Sequence, residues 1–128
     1  MITAMLLIIV MTGCSTDEEP GISQIDWGNK DVRAEQFVTA LLNGDYTIAA
    51  AGFNEEMAGA LSVRQLRSSW LATVRAAGTF IAITEIDFNM HEEYEIYDVL
   101  TQHENRNLNT RVVFDEDGQV ARLFFSFV

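Results

Sequence analysis

The chain has 128 residues, of which 48% are hydrophobic and 21% charged, and this balance predicts one globular domain and excludes a disordered or fibrous protein. Nineteen acidic residues against eight basic ones give a formal net charge of −11, which argues against nucleic acid and anionic membrane surfaces as partners. The single cysteine, Cys14, excludes an internal disulfide framework and every multi-cysteine zinc pattern.

Residues 1–13 form an apolar segment without a charged side chain. The segment is shorter than the roughly 20 residues of a membrane-spanning helix, but its length is typical of the hydrophobic part of a secretory signal. It ends in Met11-Thr12-Gly13-Cys14, which resembles the lipobox of bacterial lipoproteins, where the cysteine thiol receives a diacylglyceryl group. Two departures are that Met11 stands where leucine is usual, and that no Lys or Arg precedes the segment.

We therefore predict a lipoprotein signal peptide over residues 1–13 and a lipid anchor at Cys14, which would hold the protein on the cell membrane facing outside the cytoplasm. The alternative is that Cys14 is a buried free cysteine in an ordinary N-terminal helix. Residues 14–28 are polar and contain Pro20, Gly21 and Gly28, so they are predicted to be a flexible tether. The folded domain is predicted over residues 29–128.

The domain begins with three predicted helical segments. The first has Asn29 or Asp31 as its N-cap and Gly44 at its C-cap. Its apolar side chains recur with helical spacing: Ala34, Phe37, Val38, Leu41 and Leu42. A short second helix is predicted to be capped by Asp45, followed by a further turn around residues 55–61.

The third main helix is predicted to begin at Ser62, because Gln65 three residues later completes a capping box. Gly78 is predicted to end it. From residue 79 onward the pattern is typical of strands, over residues 79–89, 92–103, 107–115 and 119–128. The short connections at 90–91, 104–106 and 116–118 predict an antiparallel meander. The fold class is therefore α+β, with the helices on one face of a four-stranded, curved antiparallel sheet.

Several short motifs are similar to an uncharacterised bacterial family of exported and lipoprotein domains. The motifs are Leu42-Asn43-Gly44-Asp45-Tyr46, Phe53-Asn54, Met57, Leu66 with Trp70, and the closing hairpin over residues 111–125. The resemblance implies a cone fold of the cystatin-like, nuclear-transport-factor-two-like kind. It also implies a domain that is often found alone or just before a serine α/β-hydrolase, without established catalytic residues.

Motifs for catalysis or metal binding are few. The sequence contains no Gly-x-Ser-x-Gly motif, so the hydrolase itself is missing from it. His91 and His103 are expected at a solvated rim, at opposite ends of the second strand and too far apart to share a metal. No metal or cofactor is expected. The acidic pairs Glu85/Asp87 and Glu93/Glu95 are predicted on the solvent face, although such a ladder is also compatible with a general acid.

The aromatic residues allow two interpretations, a packed core or the lining of a cavity between the helices and the curved sheet. The candidate ligand-binding residues are Tyr46, Trp70, His103 and Arg111. If a site exists, we expect it between Tyr46, Trp70 and the sheet, for a ligand that is uncharged or cationic and partly apolar. Arg111 and Arg122 are alternatively expected to form a partner-facing patch near Phe124.

The sequence thus predicts a lipid-anchored, extracytoplasmic and non-catalytic binding module for a small apolar ligand or a protein partner. The alternative is a small lyase, isomerase or hydrolase of the same cone fold that acts on an exported substrate.

Overall fold

The computed structural model describes residues 24–128, in which four helices pack on one face of a four-stranded antiparallel sheet. The helices are α1 (Arg33–Asn43), α2 (Tyr46–Ala50), α3 (Glu55–Ala60) and α4 (Val63–Ala77). The strands are β1 (Phe80–His91), β2 (Tyr94–His103), β3 (Leu108–Phe114) and β4 (Val120–Phe127). The predicted α+β class is confirmed. The predicted signal peptide, Cys14 and most of the predicted tether lie outside the described residues.

Residues 24–128 form four helices rather than the three predicted. The turn expected around residues 55–61 is a separate helix, α3, because the Asn54 side chain accepts a hydrogen bond of 2.8 Å from the Met57 N–H. Such an N-cap bond satisfies a backbone donor that the first turn of a helix leaves unpaired. The capping box of α4 forms as predicted between Ser62 and Gln65.

The beginning of α1 differs from the prediction. The N-cap position is Val32, whereas the Asn29 side chain accepts from the N–H of Asp31 at 3.0 Å and so closes a turn ahead of the helix. The end of α1 is as predicted, since Gly44 adopts φ of 81°, a conformation that favours glycine.

The strands pair in the order β1-β2-β3-β4, as the predicted meander requires. The first hairpin turn is two residues later than predicted, because β1 continues to His91 and pairs it with Tyr94. The turn itself is Glu92-Glu93, and Glu92 adopts φ of 58°. Glycine or asparagine usually marks such a position, so the sequence lacks the ordinary signal for this turn.

Large side chains fill the core between the helices and the inner face of the sheet. Phe37, Trp70 and Phe114 are fully buried, and the Trp70 ring packs edge-on against Phe125 with 5.3 Å between centroids. The aromatic residues of this region therefore form a packed core and do not line a cavity.

The packed part of the chain begins before residue 29. Ile25 is buried, and the Trp27 ring lies 6.3 Å from the rings of both Phe37 and Phe114. A Cβ atom on Gly52 would come within 2.2 Å of the Trp27 ring, so a glycine at this position permits the close approach. Trp27, predicted to lie in the tether, is thus part of the domain.

Candidate functional site

Strand β1 is the least covered part of the inner face of the sheet. The register with β2 places Ile86, Phe88 and Met90 on the same face as the buried Val99, Tyr97 and Glu95. Nevertheless Phe88 is 54% exposed and Met90 50% exposed. Three large apolar side chains in a row at a half-open surface are an uncommon feature of a soluble domain.

These side chains line an open cavity of about 660 Å³, which we call the inner groove. Its lining consists of Lys30, Asp31, Ile86, Phe88, Met90, Glu95 and Tyr97. Apolar and polar residues alternate in the sequence Ile86-Asp87-Phe88-Asn89-Met90. The sequence cannot show that none of the described helices covers the apolar row. The sequence alone therefore does not predict this groove.

A buried ion pair closes one side of the inner groove. Nη2 of Arg33 contacts Oε1 of Glu95, and the guanidinium also lies 4.1 Å from the centroid of the Phe114 ring. Nη1 of Arg33 donates to the carbonyl oxygen of Trp27 at 3.2 Å, and Nζ of Lys30 lies 2.9 Å from Oε2 of Glu95. The Glu95 carboxylate is therefore paired with two cations.

This arrangement corrects the prediction for the acidic pair Glu93/Glu95. Glu95 lies on the inner face and is buried, and Glu93 lies in the hairpin turn rather than on a strand. The reason is that Arg33, distant in sequence, supplies a buried cation, and buried charges are tolerated when they are paired in this way.

Tyr97 forms the floor of the inner groove. Its hydroxyl donates to the carbonyl oxygen of Lys30 at 3.1 Å. Burial, together with the charge of Glu95, raises the pKa of the Tyr97 hydroxyl, so it remains a neutral donor. Its ring lies 5.0 Å from Phe88 and 5.6 Å from Phe114, so the aromatic contacts run from the open groove into the core.

Tyr46 and Trp70 do not line the inner groove. Trp70 is only 2% exposed and belongs to the core, and Tyr46 is half-buried and packs against the same core. The recess expected between these two residues and the sheet is thus occupied by packed side chains.

His103 is buried rather than at a solvated rim, which corrects the prediction. Nε2 lies 2.8 Å from the Thr101 hydroxyl and Nδ1 lies 3.1 Å from the carbonyl oxygen of Gly78. The Phe80 ring packs against the imidazole with 5.7 Å between centroids. Because a carbonyl can only accept, Nδ1 is the donor to Gly78, and both ring nitrogens have partners. His91 is exposed at the other end of the sheet.

Arg111 lies on the outer face of the sheet. Its Nε and Nη2 donate to the two carboxylate oxygens of Asp98 at 2.8 and 2.9 Å. This bidentate bond lowers the pKa of Asp98, against the effect of partial burial. Arg111, Arg122 and Phe124 line one recess of about 340 Å³ on this face, where the alternative patch was expected.

Residues 24–128 hold no group of three or more His, Cys, Asp or Glu side chains that could bind a metal ion. Within the same part of the chain, no helix is both long enough and apolar enough to cross a membrane.

The chain resembles known proteins in sequence and in fold. The sequence profile of a family described as "Protein of unknown function (DUF3887)" matches residues 34–123. Esterase EstD of Thermotoga maritima is 27% identical over 99 residues, which are 77% of this chain and 24% of the esterase. An NMR structure of a protein from Ruminococcus gnavus superimposes with a TM-score of 0.55 at 15% identity, over 77% of this chain and 92% of that one. The chain thus spans about a quarter of the esterase, and the NMR structure supports the fold alone.

Proposed function

The chain belongs to the DUF3887 family of proteins of unknown function, and we propose that it is a binding module, anchored by lipid outside the cytoplasm, whose inner groove holds a partly apolar ligand. The observation that carries this proposal is the exposed row Ile86, Phe88 and Met90 beside the buried ring of Tyr97. Apolar side chains that converge with a few placed polar groups are typical of ligand sites.

The inner groove carries no excess charge, because the cations Lys30 and Arg33 balance the carboxylates of Glu95 and Asp31. This balance favours an uncharged ligand in the groove. The net charge of −11 disfavours the approach of an anion.

A binding role explains the groove better than catalysis does. Its buried carboxylate, Glu95, is held in an ion pair rather than near an open position for a reacting group. His103, the histidine named as a candidate, is enclosed by Thr101, Gly78 and Phe80. The esterase resemblance covers a quarter of that enzyme, and this sequence lacks the Gly-x-Ser-x-Gly motif of serine hydrolases.

The anchor part of the proposal rests on Met11-Thr12-Gly13-Cys14 and the apolar segment before it. Lipid chains at Cys14 would supply membrane attachment without a spanning helix.

Nile red, a neutral and partly apolar dye, tests the inner groove. Phe88→Ser should weaken its binding about five- to tenfold, because the ring supplies much of the apolar contact area. Phe124→Ser is the matched control, since Phe124 is 51% exposed but lies on the outer face of the sheet. The measurement is a fluorescence titration of the chain and both variants.

Equal loss of dye binding in the two variants would contradict the placement of the site in the inner groove. Hydrolysis of p-nitrophenyl butyrate that persists in Phe124→Ser and disappears in Phe88→Ser would contradict the non-catalytic role.

A further inference from the structure

Strand β1 is an open edge of the sheet. It has twelve residues and pairs with β2 along one side, and within residues 24–128 no strand pairs with its other side. The opposite edge is covered at its beginning, where the backbone of Val120 in β4 bonds to Gly52 and Asn54 at 2.7 and 2.9 Å. An unpaired strand edge can accept the backbone of another extended segment.

The two faces of β1 have different chemistry. Ile86, Phe88 and Met90 face the inner groove, whereas Glu85 and Asp87 face outward, opposite Leu100 and Asp98 of β2 respectively. A strand added beside β1 would have its alternate side chains next to these two rows.

The outward carboxylates lack a cationic partner among the described residues. Asp98 is bound by Arg111, whereas the charged neighbour of Glu85 is another carboxylate, Asp87. A hydrogen bond with Asp87 and the repulsion between the two charges raise the pKa of Glu85. A basic side chain from outside would relieve this repulsion.

From the open edge of β1 and the apolar and acidic rows of side chains on its two faces, we infer that β1 binds an extended segment of another protein as a fifth strand of the sheet. In that segment, apolar side chains alternate with Lys or Arg. The apolar side chains would contact the inner groove, and the basic ones would contact Glu85 and Asp87. This inference rests on the proposed binding function and names the class of partner.

A second copy of the chain fits the same edge poorly. Antiparallel pairing of two β1 strands would bring two acidic rows together, and like charges opposite each other destabilise a sheet. The net charge of −11 on each copy adds a long-range repulsion.

The probe is the capped peptide Lys-Val-Lys-Ile-Lys-Val-Lys, titrated by calorimetry against the full chain in detergent. A peptide with Glu in place of every Lys should bind at least tenfold more weakly. Glu85→Gln/Asp87→Asn should weaken binding of the basic peptide about three- to tenfold, as expected for the loss of two cross-strand ion pairs.

The control variant is Glu116→Gln/Asp117→Asn, in the exposed turn between β3 and β4. This variant changes the net charge by the same amount as Glu85→Gln/Asp87→Asn. We expect it to change the affinity for the basic peptide less than twofold, because the peptide contacts Glu85 and Asp87 and is not held by the overall negative charge alone. Circular dichroism melting curves establish that both double variants are folded.

Strand addition itself is tested with two N-methylated peptides, one methylated at the central Ile and one at the neighbouring Lys. Adjacent N–H groups of an extended segment point to opposite edges. One methylated peptide should therefore lose at least tenfold in affinity, while the other binds within about threefold of the parent.

Equal behaviour of the two methylated peptides, or equal binding of the acidic and basic peptides, would overturn the inference. The inference would also be overturned if the chain binds no peptide but forms a dimer in sedimentation, and if this dimer is more stable in Glu85→Gln/Asp87→Asn. The occupant of the β1 edge would then be a second copy of the chain. If Nile red binding still depends on Phe88 in these cases, the proposed binding function stands while the strand addition fails. If it does not, the proposed function fails as well.

Discussion

At the scale of single residues, the ion pair between Arg33 and Glu95 is the charged contact that supports the inner groove. Arg33 is only 4% exposed, and its guanidinium also bonds the Trp27 carbonyl and covers the Phe114 ring. It therefore joins the segment before α1 to β2 and β3.

We predict that Arg33→Met lowers the free energy of unfolding by about 3 kcal/mol, because the change leaves the buried Glu95 carboxylate with Lys30 alone. The double variant Arg33→Met/Glu95→Leu should lose less than the single variant, since neither charge is then buried. Urea denaturation measures both values.

Arg111→Ala provides the comparison, because it breaks a bidentate Arg–carboxylate pair whose arginine side chain is 47% exposed. A solvent-exposed pair contributes less than about 1 kcal/mol. If Arg33→Met and Arg111→Ala lower the free energy of unfolding by the same amount, the buried Arg33–Glu95 pair does not stabilise the domain more than an exposed pair does.

Glu95 and His103 also show what the sequence could not predict at this scale. Both are polar residues at alternate positions of β2, and each is buried because a partner from elsewhere in the chain reaches it, Arg33 in one case and Gly78 in the other. Residue type alone favours the surface for such side chains. Period-two alternation predicts which residues share a face, but not which face is covered.

At the scale of elements, α4 is the helix whose register was predicted most fully. Its capping box identifies the beginning of the helix, and the motif of Leu66 with Trp70 contains two of its buried residues. These signals are local in sequence, and local signals are those that a sequence shows directly.

We predict that Trp70→Ala destabilises the domain by about 3–5 kcal/mol, because the indole is fully enclosed and contacts Phe125 of β4. Val63→Ala in the first turn of the same helix is the control and should cost less than about 1 kcal/mol, since Val63 is exposed. Thermal melting followed by circular dichroism compares the two, and an unchanged melting temperature for Trp70→Ala would contradict the packing.

The first hairpin was harder to predict than α4. Its turn contains Glu92 at positive φ rather than a glycine, so the pattern placed the turn two residues early. The inner groove is not predictable from the sequence for a related reason. The apolar row of β1 is visible in the sequence, but whether a helix covers it depends on how α1 to α4 cross the sheet.

At the scale of the whole molecule, the net charge and the predicted lipid anchor have opposite consequences for membrane attachment. A net charge of −11 gives no electrostatic attraction to an anionic membrane surface, so membrane attachment would depend on the N-terminal segment alone. A basic, extended partner would in contrast be attracted over a distance before it contacts β1.

Cys14 is the predicted site of lipid attachment. In a bacterial host, the full chain should enter the detergent phase on Triton X-114 partitioning, whereas Cys14→Ser should remain an unprocessed precursor or enter the aqueous phase. The reason is that only the thiol of Cys14 can receive the acyl chains that the lipobox resemblance implies. Thr16→Ala, two residues away, is the control and should partition like the unaltered chain. Equal partitioning and equal apparent mass of the unaltered chain and Cys14→Ser would contradict lipid attachment. The binding experiments on β1 would be unaffected by that result, because Phe88, Glu85 and Asp87 all lie in β1, about 70 residues after Cys14 in the chain.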